Sequence, residues 1–178
     1  FFSYPALFII TLYSIQSRQQ QRILIYVIIL AAFFLSIVAL LKQVGVHPFG
    51  WWDYSDIPIH KFYLTGTYGN HNHFAGFLEM AIPLLLSLYF FRNPNFGITS
   101  LLVFLTIFLL IILTFTFSRG AWVSSFFGLL FFGVITARKG VFINSSRKYS
   151  AFAILLVFIL LLFCTPVFER MINLFHEN

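Results

Sequence analysis

Long apolar runs alternate with short polar interruptions along the chain. A helix needs about 20 apolar residues to cross the hydrocarbon of a bilayer, and the runs have that scale. They predict spans over Phe1–Ile15, Ile23–Leu41, Phe74–Phe91, Gly97–Phe117, Ala121–Ala137 and Ala151–Thr165, the last stopped by Pro166. Pro83 interrupts the third run, which a membrane helix tolerates when its neighbours satisfy the freed carbonyl. The interruptions predict a basic loop at Arg18–Arg22, one long connection over residues 42–73, tight turns at Arg92–Asn95 and Ser118–Gly120, a basic loop from Arg138 to Ser150, and a polar stretch, residues 166–178, that begins a further loop. Pro48 and Pro58 act as breakers in the long connection. The fold class is an all-α polytopic transmembrane helix bundle of about six spans, forming a single transmembrane domain.

Of 178 residues, 60% are hydrophobic and 9% charged, and 26 are phenylalanine. A soluble domain carries about a quarter charged residues; this much apolar surface could not be hidden in a water-soluble core. In such a protein the net charge of +6 reflects cytoplasmic loops rather than nucleic-acid binding. Alternate loops sort the basic residues onto two sides. Arg18, Arg22, Arg92, Arg138, Lys139, Arg147 and Lys148 fall on one; Lys42, Lys61, Arg119 and Arg170 fall on the other, with the acidic residues outside helices. The positive-inside rule makes the first side cytoplasmic, so the long connection, Ser118–Gly120 and the tail face outward. The chain opens without Met, inside an apolar run, which predicts a fragment of a longer polytopic protein. The lone Cys164 admits no intrachain disulfide and reads as a small packed hydrophobe.

Two short stretches break the apolar monotony with chemistry. The first runs from Gly66 to Met80 and holds Asn70, His71, Asn72 and His73 at the mouth of a helix that carries Glu79 further in. The amides and histidines suit a polar rim of hydrogen-bonding groups, and Asn is a good N-cap. Positions Asn72, Gly76, Glu79 and Pro83 share one helix face. A carboxylate in hydrocarbon costs a few kcal/mol, so Glu79 should face the bundle interior or a wet cavity. It reads either as a functional group, pairing with a cation or positioning a substrate hydroxyl, or as a structural hydrogen bond between helices. His71 and His73 diverge at a two-residue step, so the stretch makes a poor zinc site, and no metal is expected. The tryptophans Trp51 and Trp52 could stack on sugar rings, but they also fit the aromatic belt at a membrane interface.

The second stretch is Thr116-Phe117-Ser118-Arg119-Gly120-Ala121-Trp122. Gly120 permits a sharp reversal, and the helix that follows presents unpaired N–H groups at the positive end of its dipole. Arg119 beside such a terminus suits a phosphate or pyrophosphate, which its planar fork grips bidentately. The bland alternative, an arginine that snorkels to lipid headgroups, stays open.

Together, in this order and spacing, the stretches resemble the O-antigen ligase and O-antigen polymerase superfamily of bacterial envelope glycosyltransferases. That family shows a Gly-Asn-Pro-Asn-x-x-Ala-like motif opening a helix, matched by Gly69-Asn70-His71-Asn72-His73-Phe74-Ala75 with His71 at the common proline position. About 45 residues further on it shows Thr/Ser-x-Ser-Arg-Gly-Ala, matched by residues Thr116 to Ala121. The resemblance covers residues 60–165. It implies glycan transfer from an undecaprenyl-pyrophosphate carrier to a lipid A core, glycan or protein acceptor, on the periplasmic face of a bacterial inner membrane, without a cofactor. It implies that Arg119 and Ser118, with Asn70, His71, Asn72, His73 and Glu79, contribute to substrate binding. The family's catalytic histidine belongs to a large loop downstream; His176 is no clear match for it, so this stretch of chain is expected to be inactive by itself. The alternative is a transporter or flippase subunit without glycosyl transfer, which would favour paired ionisable residues at mid-membrane and repeated halves.

Overall fold

The structure, a computed structural model, describes residues 9–11, 13–46, 63–92, 95–139 and 159. Four helices dominate them: α1 (Arg18–Gln43), α2 (His71–Arg92), α3 (Phe96–Phe115) and α4 (Arg119–Arg138). All four are long and apolar enough to cross a membrane. At 1.5 Å per residue, the 20 residues of α3 and of α4 give about 30 Å, the thickness of the hydrocarbon layer. No strand occurs among the described residues. The protein is thus an all-helical membrane protein. Most of the spans expected at 1–15 and 151–165 lies outside the described residues, as do Trp51, Trp52, Cys164, His176 and the basic loop after Gly140.

Several helix ends differ from the expected ones for local reasons. Arg18–Arg22 is the first turn and more of α1, not a loop. Ser17 caps it: its hydroxyl accepts from Gln20 N at 3.2 Å, and the Gln20 side chain accepts from Ser17 N at 3.0 Å. This reciprocal capping box satisfies two backbone donors that the apolar run alone gave no reason to expect. At its other end α1 runs on to Gln43 and stops on Gly45, whose φ of 81° is left-handed. There Val46 N donates to Leu41 O at 2.9 Å and Gly45 N to Lys42 O at 3.1 Å, a Schellman stop. α2 begins at His71, three residues before Phe74. α4 begins at Arg119, so Arg119 and Gly120 belong to a helical turn rather than to the turn before it.

α2 is the central helix and packs against the other three. Its Phe74, Leu78, Ile82 and Leu85 are almost wholly enclosed, meeting Leu109, Leu110 and Leu113 of α3 and Ala32 of α1 in one core. By contrast, α4 leaves Val123, Phe127, Leu130 and Phe131 exposed, the surface a bilayer would wet with lipid. Several buried hydroxyls within the spans find partners on their own helix; Ser125 of α4 does not. Ser36 donates to Ala32 O at 2.7 Å, Thr106 to Leu102 O and Thr114 to Leu110 O at 2.8 Å, so these three need no water from a region that has none.

The helices alternate direction, and charge follows. Arg92 at the end of α2 lies over the Tyr26 ring near the start of α1, 5.7 Å from its centroid. Lys139, after α4, lies 5.7 Å from the Phe91 ring. Arg18, Arg22, Arg92, Arg138 and Lys139 therefore gather at one end of the bundle. Lys42 and Arg119 are the cations of the other end among the described residues.

Candidate functional site

The chain enters the second end through residues 63–70, folded across the tops of α1 and α3. Leu64 N donates to Phe115 O at 3.3 Å, supplying a donor for a last-turn carbonyl of α3. Lys42 Nζ reaches Gly66 O at 3.4 Å. Gly66 has a φ of 58°, and a Cβ there would meet Leu35 O and the Phe74 ring, each at 3.3 Å. Both the backbone conformation and the space demand glycine. Burial pushes the Tyr68 phenol above its ordinary pKa.

From Asn70 onward the rim is built by helix capping. Asn70 Oδ1 accepts from Asn72 N at 2.8 Å, while Asn70 O accepts from His73 N at 3.2 Å and Phe74 N at 3.3 Å. Asn70 is thus the N-cap of α2. His71, Asn72 and His73 form the first turn; Asn72 and His73 are exposed and His71 half-buried. The Tyr63 ring stacks on His71 with 4.6 Å between centroids, and its other neighbour is Phe117, edge-on at 5.7 Å. One aromatic ring therefore joins the two stretches singled out in sequence.

On the far side of Tyr63 lies a strained turn. Phe117 has a φ of 54°, the left-handed conformation that Gly45 supplies at the end of α1. A bulky residue there costs about 1–2 kcal/mol. Packing holds it: Phe117 is 8% exposed, with Tyr63 on one side and Phe115 on the other. Thr116, fully buried, donates to Leu113 O at 2.6 Å and accepts from Ser118 N at 3.4 Å. Ser118 then caps α4, its hydroxyl accepting from Ala121 N at 3.4 Å and its carbonyl from Trp122 N at 3.1 Å. Ser118 is buried and spends its hydroxyl on this cap. Arg119, the first residue of α4, is exposed at the rim.

Glu79 lies apart from this rim, eight residues into α2 and so about 12 Å below its start. It is the one Asp or Glu among the described residues. Its Oε2 accepts a hydrogen bond from Ser124 Oγ of α4; no rim residue reaches it. The Ser124 hydroxyl also has the Gly120 and Ala121 carbonyls of its own helix within 3.0 and 3.2 Å. Glu79 and Ser124 line a cavity of about 130 Å³ between α2 and α4, with Met80, Ile82, Pro83, Ser125, Gly128 and Leu129. Pro83 shares the Glu79 face one turn on, and having no N–H it leaves the Glu79 carbonyl without its helical donor. Asn72 and Gly76, expected on that face, lie above the cavity and do not line it.

Among the described residues, no three His, Cys, Asp or Glu side chains converge as a metal site. Sequence reasoning missed Tyr63, Phe117, Ser124 and Ser125. The hydroxyl pair had a signal, since Gly120, Ser124 and Gly128 recur at four-residue steps along one face of an apolar helix. The joining role of Tyr63 had none. The chain matches no family model, no curated protein and no solved structure.

Proposed function

We propose that this chain belongs to a membrane glycosyltransferase of the O-antigen ligase kind. It would hold an undecaprenyl-pyrophosphate-linked glycan at the end where α2 and α4 begin, facing the periplasm of a bacterial inner membrane. The observation that supports this reading is the meeting of the two motif stretches. Residues 69–75 and 116–121 are far apart in sequence, and the Tyr63 ring touches both His71 and Phe117. Their amides, histidines and arginine thereby share one rim above an apolar bundle.

That rim complements the donor part by part. An isoprenoid tail would lie along exposed apolar surface such as Val123, Phe127 and Leu130 of α4. A pyrophosphate would meet Arg119 and the positive end of the α4 dipole. Sugar hydroxyls would meet Asn70, Asn72 and His73. When the acceptor attacks the anomeric carbon, the bond to the carrier's pyrophosphate oxygen breaks and charge grows on the leaving group. A guanidinium held at that place stabilises it more in the transition state than before it.

The test is glycan transfer from the lipid-pyrophosphate donor by the whole protein, with membrane levels of each variant measured in parallel. Arg119→Ala is expected to reduce transfer roughly ten- to a hundredfold, the equivalent of losing one charge-assisted contact. Arg119→Lys keeps the charge, loses the fork and should remain impaired. Normal transfer by well-expressed Arg119→Ala would show that the pyrophosphate is held elsewhere.

Glu79, a carboxylate within a span beside a cavity, favours a second reading, a transporter or flippase component, because ionisable residues within spans mark ion and substrate pathways. The same preparation distinguishes the two: movement of the lipid-linked donor across vesicles without any transfer would favour the second.

A further inference from the structure

The cavity between α2 and α4 has chemistry that the rim reading leaves unused. Ser125 is 6% exposed, and its hydroxyl is buried with no hydrogen-bond partner. It lines the same cavity as Glu79 and Ser124. The Glu79 backbone carbonyl receives no hydrogen bond from residue 83, because proline has no N–H. A carboxylate and two hydroxyl oxygens thus line one cavity, and the described residues around it add no cation.

From this we infer that the Glu79–Ser124–Ser125 cavity is a binding site for a hard monovalent cation of the sodium class.

Each alternative occupant answers only half of the problem. Water could bond Ser125 and the freed carbonyl, and about 130 Å³ leaves room for it, but water leaves the carboxylate charge uncompensated near mid-membrane. A proton on Glu79 cancels that charge but supplies a single O–H donor, too few for all the remaining oxygens. A small cation cancels the charge and accepts several oxygens at once, with waters completing its shell. All the donors are hard oxygens, which suit such a cation rather than a thiophilic metal. A single carboxylate matches one positive charge. Divalent ions favour several carboxylates or many more oxygens.

A Cβ built on Gly76, Gly120 or Gly128 would have no heavy atom within 4 Å. These glycines therefore do not serve close helix contact, which is their usual use in membrane bundles. They leave bare backbone along α4 from Gly120 at the rim, past Ser124, to Gly128 in the cavity wall. This site stands whether or not the chain transfers glycan.

The experiment is thermal unfolding of the whole protein in detergent, titrated with sodium chloride against N-methylglucamine chloride at constant ionic strength, alongside equilibrium binding of radioactive sodium. Sodium is expected to raise the melting temperature saturably, because it binds the folded state alone. Ser125→Ala should move the midpoint of that titration to about tenfold higher sodium, and Glu79→Gln should abolish it. If Glu79→Gln does not fold, the wild-type binding isotherm and the Ser125→Ala shift carry the result. Identical melting in the two salts with no sodium bound overturns the inference. So does a sodium response that survives in folded Glu79→Gln, since the ion would then sit elsewhere.

Discussion

Removing either partner of the Glu79–Ser124 bond should have unequal consequences. Take the pair in sodium-free N-methylglucamine buffer, so that no ion contributes. Ser124→Ala deletes the one side-chain donor that reaches Glu79. Losing a hydrogen bond to a charged group costs about 1.5–3 kcal/mol. Glu79→Leu loses the same bond, but the Ser124 hydroxyl falls back on Gly120 O or Ala121 O, at 3.0 and 3.2 Å. No buried polar group is orphaned. The variant also removes a carboxylate from mid-membrane, where its presence costs about 2.5–3.5 kcal/mol on insertion scales. These terms oppose one another, so Glu79→Leu should lie within about 1 kcal/mol of wild type, and the double variant should match it. A double-mutant cycle on reversible unfolding in mixed micelles measures the coupling, expected at about 1.5–3 kcal/mol. Glu79→Leu proving more costly than Ser124→Ala, or a coupling near zero, would refute this account of the pair.

Three further outcomes are open to measurement. Phe117→Ala and Phe117→Gly both lose the ring packed on Tyr63, but only alanine keeps the left-handed strain; glycine should therefore be the more stable by about 1 kcal/mol in the same unfolding assay. Because burial raises the Tyr68 pKa, its contribution is fully present below the unfolded value of about 10 and is lost as pH rises through the higher folded value; Tyr68→Phe should flatten that alkaline fall in stability. In a Cys164→Ala background, a cysteine at Thr67 should react with an impermeant thiol reagent from the periplasm and one at Asn95 should not, whereas labelling of both from one side would undo the orientation.

The four central spans were legible because apolar runs of bilayer length have few other uses. Their ends were not, because ends are set by single hydrogen bonds. Ser17 and Gln20 form a capping box whose Ser-x-x-Gln pattern is visible in the chain, yet the polar Arg18–Arg22 beside it looked like a loop. Arg119 looked like part of a turn because Gly120 follows it; the Ser118 cap instead starts the helix two residues earlier, at Arg119. An interior partner for Glu79 followed from the cost of a carboxylate in hydrocarbon, but its identity did not. Serine in a membrane helix normally bonds its own i−4 carbonyl, as Ser36 does, so the Gly120, Ser124 and Gly128 spacing marked a face of the helix but not the bond across to Glu79. The meeting of residues 63–73 with the α3–α4 turn depends on Tyr63, an aromatic in a chain full of aromatics.

The claim that this rim holds a lipid-linked pyrophosphate can be put directly to a photo-crosslink. A photoreactive residue at Thr67, on the rim, should capture the undecaprenyl-pyrophosphate glycan in membranes, and excess unlabelled donor should compete. The same residue at Asn95, at the opposite end, should capture none. Equal capture at both positions, or capture at Thr67 that Arg119→Ala leaves undiminished, would contradict the assignment.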